Sequence, residues 1–480
     1  MFRVLCCLLS AVLFPILAEA QGHRLEVAIH GLEDSTIYLA HHYGDLQLMK
    51  DTITLDSKGR GLFQGNELLP RGLYLVVFPG KTSYFEILVD EDQHFSLETW
   101  RDAPASKMKV TGNTDNEVFF NDLRFIQTKK EEYTSLQAKK ERLEEQCAED
   151  STHRRCDSIA IINKRFKDIN AQVELHRGLL MEENKNSLYA YILRASENPK
   201  IPPAPRDELG NLVDSNWDYH YYKSHFFDAI DFTDDRILRT GIYHQKLKTY
   251  IETLVVQHPD SIIKEADWII SRSLENDELF KYTAAWILNK YAKNELVCMD
   301  KIYVHVAEKY YMSGMADWVG EEQLKTIARD AMKMKPCTCG STGRNITATD
   351  INGVTRSLYD IKADYTILLF IESDCGLCQK ATPKVYDYWL TVRDQGVSAM
   401  CIAMDLLPDK WRKYITEKGY TEWINLIDPE DQSKFRENYH VISTPLIYIL
   451  DKDKKILAKR LGADQLPEYM SFLMKNKDRM

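Results

Sequence analysis

Cys375 and Cys378 enclose two residues in Cys375-Gly376-Leu377-Cys378, where the apolar run 368–371 gives way to a helical pattern. The first turn of a helix leaves backbone N–H groups unpaired and carries partial positive charge, so a thiolate there is favoured over a thiol. Cys375 is therefore the expected nucleophile. Cys378, one turn further on, is placed to attack a mixed disulfide on Cys375 and release the substrate, so the pair would cycle through a redox-active disulfide. A structural disulfide or half of a zinc site competes with this reading, but a strand followed by CxxC and a helix favours redox chemistry.

The support lies downstream, where the chain reads Tyr439-His440-Val441-Ile442-Ser443-Thr444-Pro445, then the apolar strand 446–450, Asp451-Lys452-Asp453 and a second strand 455–459. With the dithiol, this arrangement resembles the thioredoxin fold, specifically the TlpA-like thiol-disulfide oxidoreductases. The resemblance implies that the bond before Pro445 is cis, that Pro445 packs beside the dithiol and that the backbone of Thr444 pairs with substrate. It also implies no cofactor and no metal, protein or peptide disulfides of the cell envelope as substrates, and a separate thiol electron donor.

The match has gaps. Many TlpA-like proteins carry Trp before the first Cys and Pro before the second, where this chain has Asp374 and Leu377. A carboxylate beside Cys375 disfavours its thiolate, so a strongly oxidising couple is not expected. The family's frequent Glu three residues after the second Cys is Ala381, and Glu372 is the nearest substitute; Glu372 also stands where a peroxide-reducing site would have Thr. Cys337-Thr338-Cys339 precedes the module unexpectedly. It could form its own disulfide, exchange with Cys375 and Cys378, pair with Cys298, or stay inert; four thiols could also hold zinc. Cys401, inside an apolar strand, reads as a buried free thiol.

The elements that must position the dithiol alternate. Strands are expected at 345–350, 354–358, 365–371, 397–404, 423–427, 446–450 and 455–459, with helices to about Val392, over 408–418, over 430–439 and at the end. That alternation specifies a twisted sheet flanked by helices. Upstream, Phe119, Leu123, Ile126, Tyr133, Leu136, Leu143 and Cys147 recur at helical spacing, as do Ile159, Ile162, Phe166, Ile169, Val173, His176 and Leu180. Two long amphipathic helices follow. An antiparallel hairpin of them would bring Cys147 and Cys156 together at its tip, where a disulfide stapling it is favoured over two free thiols. His176 on the seam reads as a core histidine. Residues 198–205 are a proline-rich connector, 217–232 an aromatic stretch that reads as packing, and 242–333 a run of helices.

Residues 24–112 carry short alternating runs at 25–29, 37–40, 61–64, 73–78, 84–89, 94–98 and 108–111, separated by turns such as Asp56-Ser57-Lys58-Gly59, which predicts an all-β sandwich. His41-His42 reads as an exposed pair beside a loop. The β and helical regions resemble those preceding thioredoxin modules in Bacteroidetes envelope proteins. Residues 1–20 hold Arg3, an apolar run and Ala18-Glu19-Ala20, the pattern of a cleavable secretory signal ending before Gln21. Export to the periplasm or cell envelope, where disulfides form, is the expectation. The chain has 480 residues and a net charge of -10, which offers no basic stripe for nucleic acid.

The fold class is thus multidomain: signal peptide 1–20, β-sandwich 24–112, helical domain 116–335 with a long hairpin, and an α/β thioredoxin-like domain 340–480. The expected activity is thiol-disulfide exchange by Cys375 and Cys378, with Thr444 and Pro445 at the substrate. The rival reading is an envelope binding or scaffold protein whose thioredoxin-like end senses redox state.

Overall fold

The structure is a computed structural model that describes residues 22–147, 154–292 and 296–476. The chain divides after Tyr250 into two compact units.

The first unit opens with β1 (His23–His30), β2 (Thr36–Tyr43), β3 (Leu46–Thr54), β4 (Arg60–Gly65), β5 (Gly72–Val77), β6 (Tyr84–Val89), β7 (His94–Trp100) and β8 (Lys109–Thr111). They form two four-stranded sheets, ordered β4-β1-β7-β8 and β3-β2-β5-β6. In β1, Leu25, Val27 and Ile29 are buried while Arg24 and Glu26 are exposed, the period of two that a half-buried strand requires. These residues share one core with Ile37, Leu39, Tyr74, Val76 and Ile87 of the other sheet, which makes the region a sandwich.

Helices α1 (Thr114–Cys147), α2 (Arg154–Glu183), α3 (Leu188–Ser196), α4 (Trp217–Ser224) and α5 (Ile242–Thr249) follow. The Asn116 amide ties α1 to β6, donating to the Leu88 carbonyl at 2.7 Å and accepting from the Leu88 N–H at 2.8 Å. α1 and α2 run antiparallel: Tyr133 lies on Phe166, Arg165 pairs with Glu132, and Phe125 stacks on His176 at 3.9 Å. His176 Nε2 lies 3.0 Å from buried Asp122, so its role is in the hairpin seam. The side chains of Cys147 and Cys156, and residues 1–20, lie outside the described residues. Of the aromatic stretch, Phe226, Phe227 and Phe232 are buried, and Phe226 and Phe227 pack on Tyr250.

The second unit begins with α6 (Pro259–Ser273), α7 (Asp277–Ala292), α8 (Asp300–Val306) and α9 (Glu321–Met334). After them come β9 (Thr347–Asp350), β10 (Thr355–Ser357), β11 (Tyr365–Ile371), α10 (Gly376–Val392), β12 (Val397–Ala403), α11 (Pro408–Lys418), β13 (Ile424–Ile427), α12 (Phe435–Asn438), β14 (Leu446–Asp451), β15 (Ile456–Lys459) and α13 (Leu466–Lys475). The seven strands form one sheet, ordered β10-β9-β13-β12-β11-β14-β15, with β11, β12 and β13 parallel and β14 antiparallel to β11. All seven residues of β11 are buried. Leu368 and Phe370 face a core with Phe435, Tyr439 and Tyr448, while Ile367, Leu369 and Ile371 face Val385, Trp389, Trp411 and Cys378.

Three local expectations change. The segment 430–439 is helical only in α12, because the Asp428 carboxylate accepts from the N–H groups of Gln432 and Ser433 and pins a turn, and Asp431 and Lys434 take positive φ. β3 has no counterpart among the expected strands, since most of its residues are exposed and no alternation marks it. His41 and His42 lie within β2 and are half-buried, with the His41 ring 5.2 Å from that of Tyr74. Among the described residues no group of three or more His, Cys, Asp or Glu could hold a metal, and no helix is long and apolar enough to cross a membrane.

Phe370 is fully buried, 5.7 Å from Phe435 and 5.5 Å from Tyr439. Phe370→Ala is expected to destabilise the second unit by about 3–5 kcal/mol, read as a lower urea midpoint for its transition. A midpoint equal to that of the parent chain would show that this ring does not hold the sheet to α12.

Candidate active site

β11 ends at Ile371, and the chain turns through Glu372, Ser373 and Asp374 before Cys375 caps α10. Cys375 has extended backbone angles, φ -73° and ψ 113°, and its sulfur accepts the Cys378 N–H at 3.3 Å. The cysteine thus does the work of an N-cap residue, taking one of the donors that a helix start leaves unpaired. Its thiol also lies 3.4 Å from the Thr444 carbonyl, which it faces as donor. The Thr444–Pro445 bond is cis. The structure therefore brings Cys375, Cys378 and Thr444 together, with Pro445 next in the chain.

The two thiols differ in environment. Cys375 is partly exposed and Cys378 fully buried. Burial works against ionisation of Cys375, but hydrogen bonds from Cys378, the Thr444 side chain and the Leu377 N–H outweigh it and hold the thiol below its ordinary value. Burial, reinforced by the neighbouring Cys375 sulfur, pushes Cys378 up to about 11. One sulfur is ready to attack and the other keeps its proton until the first has reacted.

Asp374 does not have the effect its position suggests. Its carboxylate pairs with Lys410 of α11 and is turned to solvent, and the Cys375 thiol stays below its ordinary value despite that neighbour. Glu372 is exposed and contributes its carbonyl, which accepts the Cys375 N–H at 3.1 Å.

Asp405 is the residue that sequence reasoning missed. It is buried just past β12, accepts the Ser373 N–H at 3.0 Å and the Ser373 hydroxyl, and lies 3.9 Å from Lys410 Nζ. Gln379 of α10 donates to the Ser373 carbonyl at 3.2 Å, so the turn before the dithiol is held from both sides. The available signal was an acidic residue directly after an apolar strand parallel to the one that carries the cysteines.

Cys401 is buried on β12, and burial pushes its thiol up. Cys339 is bonded to Cys298, with Cα atoms 5.4 Å apart, and Cys337 is a buried thiol. Cys337 packs in the core on one face of the sheet and Cys378 in the core on the other, so the four module cysteines do not gather into one site.

Residues 339–459 match the AhpC/TSA family, and residues 176–334 match a domain of unknown function, DUF5106. The chain is 24% identical over 139 residues to a thiol-disulfide oxidoreductase ResA of Bacillus cereus, covering 28% of this chain and 77% of that one. Among solved structures, a domain of a possible thiol-disulfide isomerase from Cytophaga hutchinsonii is 36% identical and covers 30% of this chain and 99% of its own, with a TM-score of 0.29. A thioredoxin-like protein from Bacteroides caccae is 22% identical and covers 57% of this chain and 98% of its own, with a TM-score of 0.45.

In the reduced protein, iodoacetamide should modify Cys375 first, and its rate should rise with pH through a midpoint below that of an ordinary thiol of about 8.5, since only the thiolate reacts. Cys378 should follow only as pH approaches 11. Mass mapping that found Cys378 modified first at neutral pH would reverse the assignment. Residues 339–459 form a thioredoxin-like thiol-disulfide oxidoreductase domain of the AhpC/TSA family.

Proposed function

We propose that this chain is an exported thiol-disulfide oxidoreductase that reduces or exchanges disulfides in proteins of the cell envelope through Cys375 and Cys378. The observation that carries the reading is the split between the two thiols: Cys375 partly exposed at a helix start and held below its ordinary value, Cys378 buried and raised to about 11.

The Cys375 thiolate attacks one sulfur of a substrate disulfide. A mixed disulfide forms, the substrate bond breaks, and the departing substrate sulfur takes a proton. Cys378 then loses its proton and attacks Cys375 Sγ, releasing the second substrate thiol and closing the Cys375–Cys378 disulfide. Two electrons pass from the dithiol to the substrate. A thiol donor restores the dithiol, and no organic cofactor or metal takes part. The Thr444 carbonyl, already facing Cys375, belongs on this reading to the edge that pairs with an extended substrate, with Pro445 beside it.

Export rests on residues 1–20, whose basic start, apolar run and Ala18-Glu19-Ala20 form a cleavable signal. The β region 24–112 and helical region 116–335 are read as domains preceding the redox domain 340–480.

Insulin reduction with dithiothreitol tests the activity. The chain beginning at Gln21 should be active, Cys375→Ser should lose at least about a hundredfold, as expected on removing an attacking nucleophile, and Cys147→Ser should keep its rate. Full activity in Cys375→Ser would overturn the reading and leave a binding or scaffold role. N-terminal sequencing of the exported protein should begin at Gln21.

A further inference from the structure

Three cysteines outside the dithiol are gathered along β15. Cys298, which precedes α8, is bonded to Cys339 and lies 3.6 Å from the Leu457 carbonyl. Gly340, next to Cys339, donates its N–H to the Ile456 carbonyl at 2.8 Å. Cys337 Sγ is a buried thiol that donates to the Met334 carbonyl at 3.3 Å, accepts from Lys459 Nζ at 3.4 Å and faces the Tyr448 hydroxyl of β14, and Cys339 packs against the same core cluster as Cys337. One short strand therefore places a carbonyl at one sulfur of a disulfide and a cation at a free thiol two residues from the other.

Lys459 is almost fully buried, with 2% of its side chain exposed. An ammonium in a core needs a partner, and Asp300, two residues beyond Cys298, supplies it. The cluster is not closed on itself, because Asp300 Oδ1 and His440 Nδ1 are buried without a hydrogen-bond partner. Burial, with Lys459 and Arg460 nearby, holds His440 below its ordinary value. A core ion pair serving packing alone would need only Asp300. The further contact from Lys459 to Cys337 is what a thiol poised for exchange requires.

We propose that Cys298, Cys337 and Cys339 form a second thiol-disulfide site, in which Cys337 exchanges into the Cys298–Cys339 disulfide beside the Lys459 ammonium. Cys337 loses its proton and attacks Cys339 Sγ. The Cys337–Cys339 bond forms, the Cys298–Cys339 bond breaks, and its electron pair stays on Cys298 Sγ, which takes up one proton. Nothing is oxidised or reduced overall, and the Leu457 carbonyl accepts the new S–H. The exchange converts a cross-link over 41 positions into one within Cys337-Thr338-Cys339, untying the segment before α8 from the sheet. It is independent of the dithiol, since Cys378 packs on the opposite face of that sheet.

The experiment is native incubation of the full chain with iodoacetamide and no reductant, followed by disulfide mapping by mass spectrometry. The expected product carries alkylated Cys298 and a Cys337–Cys339 disulfide, and it accumulates faster as pH is raised, because thiol–disulfide exchange runs through a thiolate. Cys337→Ser should abolish it. Lys459→Met should slow it about tenfold at neutral pH, with Lys459→Arg restoring most of the rate. Because Lys459→Met leaves Asp300 without its cation, Cys337→Ser, which keeps that pair, carries the test independently, with circular dichroism melts as the folding control. An intact Cys298–Cys339 disulfide with only Cys337 alkylated would overturn the proposal. Loss of the product in Cys375→Ser would also overturn it, by showing that the exchange runs through the dithiol.

Discussion

Burial of β11 on both faces is the constraint on which the site depends. A strand with every side chain in a core cannot slip by a residue without driving Leu368 and Phe370 into the space shaped for Ile367 and Leu369. Its end point is therefore fixed, and so is the turn that follows. Asp405 converts that fixed strand end into a fixed sulfur position by taking both donors of Ser373. The helix start then supplies the Cys378 N–H to the sulfur. Each step is ordinary packing or capping, and the chemistry arises because a cysteine occupies the cap.

Much of this was legible in the residues. The seven strands of the second unit appear where apolar runs and turn residues place them, and CGLC sits between a short continuous apolar run and a pattern of period 3.6, the combination a buried strand passing into a helix leaves in a sequence. What could not be read depended on contacts distant in sequence. The inference drawn from the adjacency of Asp374 fails because its carboxylate turns to Lys410 and solvent, while hydrogen bonds to the sulfur, one of them from Thr444 69 positions on, hold the Cys375 thiol below its ordinary value. Cys298 and Cys339 are separated by 41 positions, and spacing left several pairings open. The turn at 430–434 failed for another reason: Asp428 competes with the helix for its N–H groups, a local alternative that a periodicity count ignores.

The second unit joins helices and a sheet that sequence reading assigns to separate regions. α6 to α9 and the thioredoxin-like sheet form one compact body, and the Cys298–Cys339 bond and the Lys459–Asp300 pair both connect the start of α8 to the sheet side. A buried ion pair contributes little net stability against an apolar replacement, whereas loss of either partner leaves an uncompensated charge in the core, so Lys459 and Asp300 must be kept or lost together. The disulfide adds a covalent limit to the docking of α8.

β3 shows how one property can have two effects. It is the outer strand of its sheet among the described residues, the position at which another molecule's strand could pair, and Leu46, Leu48 and Met49 are exposed on it. The chain carries its own safeguards. Lys50 and Asp51 interrupt the apolar residues, and the register shift at Leu39 and Ala40 bends the pairing beneath them. The same charges that discourage edge-to-edge stacking erase the alternation by which a strand announces itself. A sheet margin built to be unattractive to other chains is, for the same reason, hard to see in its sequence.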